Sequence, residues 1–300
     1  MDKQPVVVGV DGSDAAHDAL RWAAQEAALY ASPLVVVNAR PVLVSHGPGM
    51  ALISYGRALS LASEEFDAER AGRSILDASE RAVRAMSDEI GPIAVSTEFV
   101  AGPTIPALLD MSKNARLLVV GSRGLGAFRR GLLGSVSTAV AHHAHCPVAV
   151  VRLGKIFAGT ANAAPVVVGV DGTDNSCSAI DIAFEEASHR RVELVAVYVW
   201  RANSDLITSV IDRPATLADQ QAVLSDSLGR CRDRYPQVRV RTVVVEGDSA
   251  RNLQVQAEHA QLIVVGSHGR GGFPGMTLGS TSEALLHSVE CPIIIARKQD

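Results

Sequence analysis

The sequence predicts an α/β protein made of two tandem doubly wound open parallel sheets, five strands in each. Three observations carry that reading. Short runs rich in Val and Ile alternate with segments of helical periodicity along the whole chain. The stretch PVVVGVDG occurs twice, at Pro5–Gly12 and at Pro165–Gly172. Leu117–Arg152 also aligns without a gap on Leu262–Arg297, with 17 of 36 positions identical. A period this long is a duplicated domain and not a solenoid unit. The two copies are offset by 160 residues at Asp11 and Asp171 but by 145 at Gly121 and Gly266, so the first holds 15 extra residues.

Each copy then reads in order. Val6–Val10 is an unbroken β-branched run, as a strand buried on both faces of a parallel sheet requires. Asp11-Gly12 turns the chain, and Ser13 suits the cap of a helix through Ala15–Tyr30. Leu34–Asn38 is a second buried strand. The extra length falls between Pro41 and Ser60, where Gly and Pro mix with apolar residues; its counterpart, Arg201–Arg213, is shorter. A long helix follows, with Ile75, Leu76, Ser79, Ala82, Val83, Met86 and Ile90 near helical spacing. Leu217, Leu224, Leu228, Cys231 and Tyr235 form the matching stripe. Third strands are read at Ile93–Val100 and Val238–Val245. Gly102 and Gly247 precede short helices that end before the fourth strands, Leu117–Val120 and Leu262–Val265. A last helix leads into Val148–Val151 and Ile293–Ala296. The domains are residues 1–153 and 165–300, joined by a weakly patterned linker at 154–164.

Composition narrows the function classes. With 28 Lys+Arg against 32 Asp+Glu, the net charge of −4 leaves no basic footprint for nucleic acid. Four cysteines in 300 residues do not make a disulfide scaffold. No apolar run reaches the length of a membrane span, and Met1–Pro5 passes directly into a strand-like run. The expectation is a cytoplasmic protein.

In an open parallel sheet, ligands bind beyond the carboxyl ends of the strands. After its fourth strand each copy carries G-x2-G-x9-G-S, as Gly121, Gly124, Gly134 and Ser135 and as Gly266, Gly269, Gly279 and Ser280. Glycines let backbone N–H groups approach an anion, and the Gly-Ser ending stands where the last helix begins, at free N–H groups and a favourable dipole. No G-x4-G-K-[ST] occurs in either loop, and Gly124-Leu-Gly126-Ala-Phe-Arg129 lacks the third glycine of a dinucleotide fingerprint. Asp11 and Asp171 stand at the same sheet edge, as acceptors for ribose or base donors and not for phosphate. The first loop holds Arg123, Arg129 and Arg130 where the second holds His268, Arg270 and Pro274, so the two sites are expected to differ in affinity.

His142, His143, His145 and Cys146 invite a metal reading, but the second copy has His287, Ser288, Glu290 and Cys291 there and repeats no ligand set. Core packing accounts for Cys146 and Cys291. Cys177 and Cys231 have no counterparts in the other half. No nucleophile–base pair stands at a defined spacing, and no catalytic residue is assigned.

The paired Val-Gly-Val-Asp-Gly-Ser/Thr openings, the G-x2-G-x9-G-S loops and the Cys-Pro before the fifth strand resemble the universal stress protein family. More narrowly, they resemble its tandem-domain, ATP-binding members, common in mycobacteria. The resemblance implies a Rossmann-like strand order of 3-2-1-4-5 with ATP, alone or with Mg2+, lying across strands one and four. It places Asp11 and Asp171 at the adenosine side and Ala39 and Val199 beside adenine. Gly121, Gly124, Gly134 and Ser135, with Gly266, Gly269, Gly279 and Ser280, would hold ribose and phosphates. It further implies a homodimer and a non-enzymatic, nucleotide-dependent regulator of stress adaptation and growth, acting through an unidentified protein partner. The alternative on the same fold is a slow ATPase or adenylyl-transferring enzyme. A weaker one is an assembly module with empty pockets.

Overall fold

A computed structural model describes residues 3–40, 55–124 (backbone only over 55–65), 133–152, 163–173, 176–200, 216–269 and 277–297. Residues 41–54 of the insertion, 153–162 with most of the linker, and 201–215 lie outside the described residues. Two compact units emerge, the first running to Gly124 and then over Gly134–Cys146, the second from Pro147 onward.

In the first unit, strand β1 (Val6–Gly9) lies between β2 (Leu34–Arg40) and β4 (Leu117–Gly121), and β3 (Val95–Ala101) pairs with β2, every pair parallel. Helix α1 (Asp14–Tyr30) packs on β1 and β4, and α2 (Tyr55–Ala85) on β2 and β3. A short turn of helix, α3 (Ser87–Ile90), follows, and α4 (Thr104–Ser112) covers β1 and β2 beside α5 (Ser135–His143). The two faces are distinct. A Cβ on Gly9 would meet Leu108 of α4, whereas one on Gly121 would meet Ala15 of α1.

The second unit repeats this plan. Strand β5 (Val148–Val151) runs antiparallel to β10 (Ile293–Ala296). Beyond β10 come β9 (Leu262–Gly266), β6 (Val166–Val170), β7 (Leu194–Trp200) and β8 (Val240–Glu246), all parallel to it. Counted within the second copy, the order is 3-2-1-4-5. Helix α6 (Cys177–Arg190) packs on β6 and β9, and α7 (Leu217–Arg234) on β7 and β8. On the other face α8 (Ser249–Ala257) sits against β6 and β7 and beside α9 (Ser280–Ser288). Val166, Val167 and Val168 are each 0% exposed, so consecutive residues find apolar cover on opposite faces.

Local chemistry explains the boundaries. Ser13 Oγ accepts the Ala16 N–H at 3.2 Å and starts α1, whose Ala15, Ala16, Ala19, Ala23, Ala24 and Ala27 let it lie close to the sheet. Helices α1 and α6 both end on a non-glycine residue in the left-handed region, Ala31 at φ 46° and Arg191 at φ 56°. Each cap N–H is bonded to carbonyls of the last turn. The long helix reaches back to Tyr55, well before the stripe from Ile75 that marks it in the sequence. Gly72 does not interrupt it, because a side chain there would collide with Phe99 and with Asn38 Oδ1, so the bare backbone seats the helix on β2 and β3.

Candidate functional site

The second unit contains a cavity of about 610 Å³ at the carboxyl ends of its strands. Asp171, Val199, Gly266, Gly269, Gly279 and Ser280, separated by up to 109 positions in sequence, all line it. Parallel pairing is what gathers them. Strand β6 lies between β7 and β9, so the residues that end these three strands share one edge. Helix α9 then begins at that edge, directly after Gly279.

Three contacts fix the loop. Asp171 Oδ1 accepts the Thr173 N–H at 2.9 Å and its hydroxyl at 2.8 Å, which aims the carboxylate along the turn. The Gly279 N–H donates to Ser267 O at 2.7 Å, and Ser282 Oγ donates to Gly266 O at 2.6 Å. Gly269 passes beside the aspartate, since a Cβ there would stand 3.2 Å from Asp171 Oδ2.

The first unit repeats these contacts except the one made by the Thr173 hydroxyl. Asp11 Oδ1 accepts the Ser13 N–H at 2.9 Å, Gly134 N–H donates to Ser122 O at 2.9 Å, and Ser137 Oγ donates to Gly121 O at 2.6 Å. A Cβ on Gly124 would stand 2.5 Å from Asp11 Oδ2, so the two loops meet there as well. Ser135 opens α5. Ala39 lies in the last turn of the pleat of β2, where its carbonyl accepts from Thr104 Oγ1 at 2.9 Å. Gly121 has a packing role in addition, because a Cβ there would lie 2.6 Å from the Ala15 carbonyl oxygen of α1.

Gly134 and Gly279 differ from the other loop glycines. Both are N-caps with ordinary extended dihedrals, φ −70° and ψ 152° for Gly134 and φ −76° and ψ 153° for Gly279. A Cβ on either would meet no described atom closer than 3.5 Å. Neither conformation nor crowding within the chain demands glycine. Ser13, Thr216 and Asp248 cap α1, α7 and α8 with their side chains, whereas no described side chain caps α5 or α9. Their first-turn N–H groups are thereby left for an incoming acceptor.

Sequence reading missed several lining residues. Val197, Ala250 and Leu253 form an apolar wall, and Asp248 and Ser249 bring the start of α8 to the cavity. Ser137 and Ser282 had a signal, being identical in both copies two residues after the Gly-Ser pair. Asp248 had none, because the first copy has Pro103 there. Asp171 and Asp248 are the acidic lining residues; among the described residues no Lys or Arg lines the cavity, and His268 is its one basic group. Arg129, Arg130, Arg270 and Pro274 lie outside the described residues.

The remaining candidates stand apart. Cys146 and Cys291 are 1% and 2% exposed and pack in the core. No cluster of three or more His, Cys, Asp or Glu suited to a metal ion occurs among the described residues. Cys231 Sγ donates to Asp181 Oδ1 at 3.0 Å between α6 and α7, and burial pushes this thiol up to about 12. Among the described residues, no helix is long and apolar enough to cross a membrane.

Comparison with known proteins bears on both halves. The model of the universal stress protein family matches residues 3–152 and again 163–297. The chain is 40% identical over 302 residues to Universal stress protein Rv2623 of Mycobacterium tuberculosis H37Rv, covering 98% of this chain and 96% of that one. It is 39% identical over 296 residues to Universal stress protein Rv2005c of the same organism, covering 98% and 97%. A crystal structure of a universal stress protein from Archaeoglobus fulgidus DSM 4304 covers 99% of this chain and 97% of its own. Its TM-score is 0.68 and its identity 20%, a likeness of fold.

Proposed function

The chain belongs to the universal stress protein family, and we propose that it is a nucleotide-binding regulator that takes one ATP in each half. The observation that carries this reading is the convergence of Asp171, Val199 and the four loop residues on one cavity. Its volume of about 610 Å³ falls in the range of small-molecule sites. Val197, Val199, Ala250 and Leu253 offer an apolar wall to a flat base. Asp171 offers carboxylate oxygens to ribose hydroxyls or an amino group, which an anion suits better than it suits phosphate. The first-turn N–H groups of α9 from Ser280 onward, the Ser280 hydroxyl and the α9 dipole suit the phosphates.

Among the described residues there is no protein cage for Mg2+, so a divalent ion would arrive held by phosphate oxygens and water, neutralising charge near the two carboxylates. Occupancy, and not turnover, is the signal in this reading, and hydrolysis should stay below the roughly 1–10³ s⁻¹ usual for enzymes. The deciding experiment is mass spectrometry of small molecules released from the denatured, freshly purified chain, paired with calorimetric titration of ATP. Uptake of up to two ATP per chain is expected. Nucleotide-free protein that takes up no ATP overturns the reading, and sustained turnover within the enzymatic range replaces it with an ATPase.

A further inference from the structure

We infer that the chain associates with a second copy of itself, the basic flank of edge strand β8 in one copy lying along the acidic flank of edge strand β3 in the other. The duplication exposes the contrast. Strand pairing sets Leu34 against Val95 and Leu194 against Val240, so residues 230–243 correspond to 85–98. The later stretch holds Arg230, Arg232, Arg234, Arg239 and Arg241 against one acid, Asp233. The earlier stretch holds Asp88, Glu89 and Glu98 with no Lys or Arg. Arg191, at the end of α6, adds a cation where the first copy has Ala31.

Topology gathers these charges. Helices α6 and α7 run back from the carboxyl ends of the strands, which brings Arg191, Arg232 and Arg234 to the end of the sheet where β8 starts. Gln237 Nε2 donates to Ser188 Oγ at 2.8 Å and ties the chain after α7 to the last turn of α6. Arg239 and Arg241 share one carboxylate, Glu193, at 3.4 Å each, and Asp181 holds Arg230 at 2.8 Å. Arg191, Arg232 and Arg234 form no ion pair among the described residues, and neither do the exposed Asp88, Glu89 and Glu98. Residues 201–215, outside the described residues, hold two Arg and two Asp and leave the balance as it is. Helix dipoles do not account for the cations. A positive charge suits a helix C-terminus, yet α1 has no basic residue in its last turn, and Arg239 and Arg241 lie beyond any helix.

The edges themselves are bare. Among the described strands, β3 pairs with β2 alone and β8 with β7 alone. Leu34 N–H donates to Ala94 O at 2.8 Å and Leu194 N–H to Arg239 O at 2.9 Å. Alternation along a parallel pair then turns the backbone groups of Val95, Thr97 and Phe99, and of Val240, Thr242 and Val244, outward. Two copies could join such edges in three ways. Charge disfavours β8 on β8 and β3 on β3, where like charges would face each other. Only β8 on β3 brings arginines to Asp88, Glu89 and Glu98, and planar guanidinium groups suit carboxylates.

The test is sedimentation velocity of the full chain over a concentration series, at about 0.01 M and about 1 M salt, where charges are screened beyond roughly 30 Å and 3 Å. Mass should rise with concentration at low salt and much less at high salt. Arg234→Glu/Arg239→Glu/Arg241→Glu should weaken the low-salt association at least about tenfold, and so should Asp88→Lys/Glu89→Lys/Glu98→Lys. An equimolar mixture of these two variants should regain it, since one carries acids at both edges and the other bases at both. Arg234→Gln/Arg239→Gln/Arg241→Gln, which reverses no charge, should show a smaller loss. Mass indifferent to salt and to the substitutions, whether of a monomer or of an assembly through another face, overturns the inference. A mixture as dissociated as its parts, with both variants folded by circular dichroism, overturns it too.

Discussion

Gly121 and Gly134 belong to one loop motif yet bear on different physics. At Gly121 an added methyl would stand 2.6 Å from the Ala15 carbonyl, a backbone atom that cannot swing aside. Gly121→Ala is therefore expected to destabilise the first half by about 1–3 kcal/mol with no nucleotide present. Gly134→Ala, with nothing inside 3.5 Å, should leave nucleotide-free stability nearly unchanged and weaken ATP binding. Thermal melts of both variants without ligand check this, and equal losses would contradict it. Gly121→Ala alone thus cannot report on ligand. The cysteines separate in the same manner. Cys146, Cys231 and Cys291 are buried and Cys177 is half-buried, so brief iodoacetamide treatment at pH 8 should yield one adduct, on Cys177. Burial raises the Cys231 thiol from 9.0 to about 12, which favours the protonated form in the native state. Its contribution is complete below pH 9 and is lost as pH climbs toward 12, because the unfolded chain ionises first. Cys231→Ala should flatten that part of the stability profile, as denaturant titrations between pH 8 and 11 would register.

At the scale of elements, the two copies solve one burial problem differently. Glu26 of α1 and Glu186 of α6 occupy matching places and are 0% and 2% exposed. Glu186 Oε2 pairs with Arg190 Nε at 2.9 Å within the helix, and Arg190 reaches Gln261 Oε1 at 3.0 Å. In the first copy Tyr30 stands where Arg190 does, and Arg116 takes the place of Gln261 with its guanidinium 3.8 Å from the Tyr30 ring centroid. The cation described at this place thus stands on the helix in the second copy and, over the Tyr30 ring, on the loop before β4 in the first. Arg190→Leu strips the buried carboxylate of its cation and should cost on the order of 3–5 kcal/mol. Adding Gln261→Arg to Arg190→Tyr rebuilds the first-copy arrangement and should recover much of that loss in urea melts. The uncapped start of α9 yields a second test. Gly279→Asp adds an N-cap acceptor and a favourable charge at the dipole, so nucleotide-free stability should hold or rise by a few tenths of a kcal/mol. The same carboxylate occupies the anion position, so ATP should lose its stabilising effect on this half. A variant that melts higher yet responds to ATP like the wild type would separate the cap from the site.

For the molecule as a whole, linkage makes occupancy visible without any assay of activity. ATP at 100 times its Kd should add roughly 2.7 kcal/mol to the stability of the half that binds it. For units of this size that corresponds to about 5–11 °C in melting temperature. ADP should act with the same sign. Calorimetric scans over an ATP series are expected to move upward, and nucleotide-free protein that melts at one temperature throughout speaks against binding in either half.

Sequence alone determined the duplication, the alternating strands and helices, and the two glycine loops. These are local or self-referential patterns: a β-branched run reads as a buried strand wherever it lies, and each copy serves as the alignment for the other. Asp171 and the four loop residues of the second copy stand out for that reason, Val199 follows from the family resemblance, and all six line one cavity. Only tertiary structure decided that Gly121 seats a helix, that Ser282 braces Gly266, and that Asp248 and His268 enter the same cavity as Asp171. The backward reach of the long helix to Tyr55 belongs with these, because its Gly72 is tolerated only against Phe99 and Asn38. The physical reason is the crossover. Placing β4 beside β1 joins residues 110 apart, as where Ser13 Oγ meets Arg123 O, and no periodicity within either segment encodes which side chain will face the other.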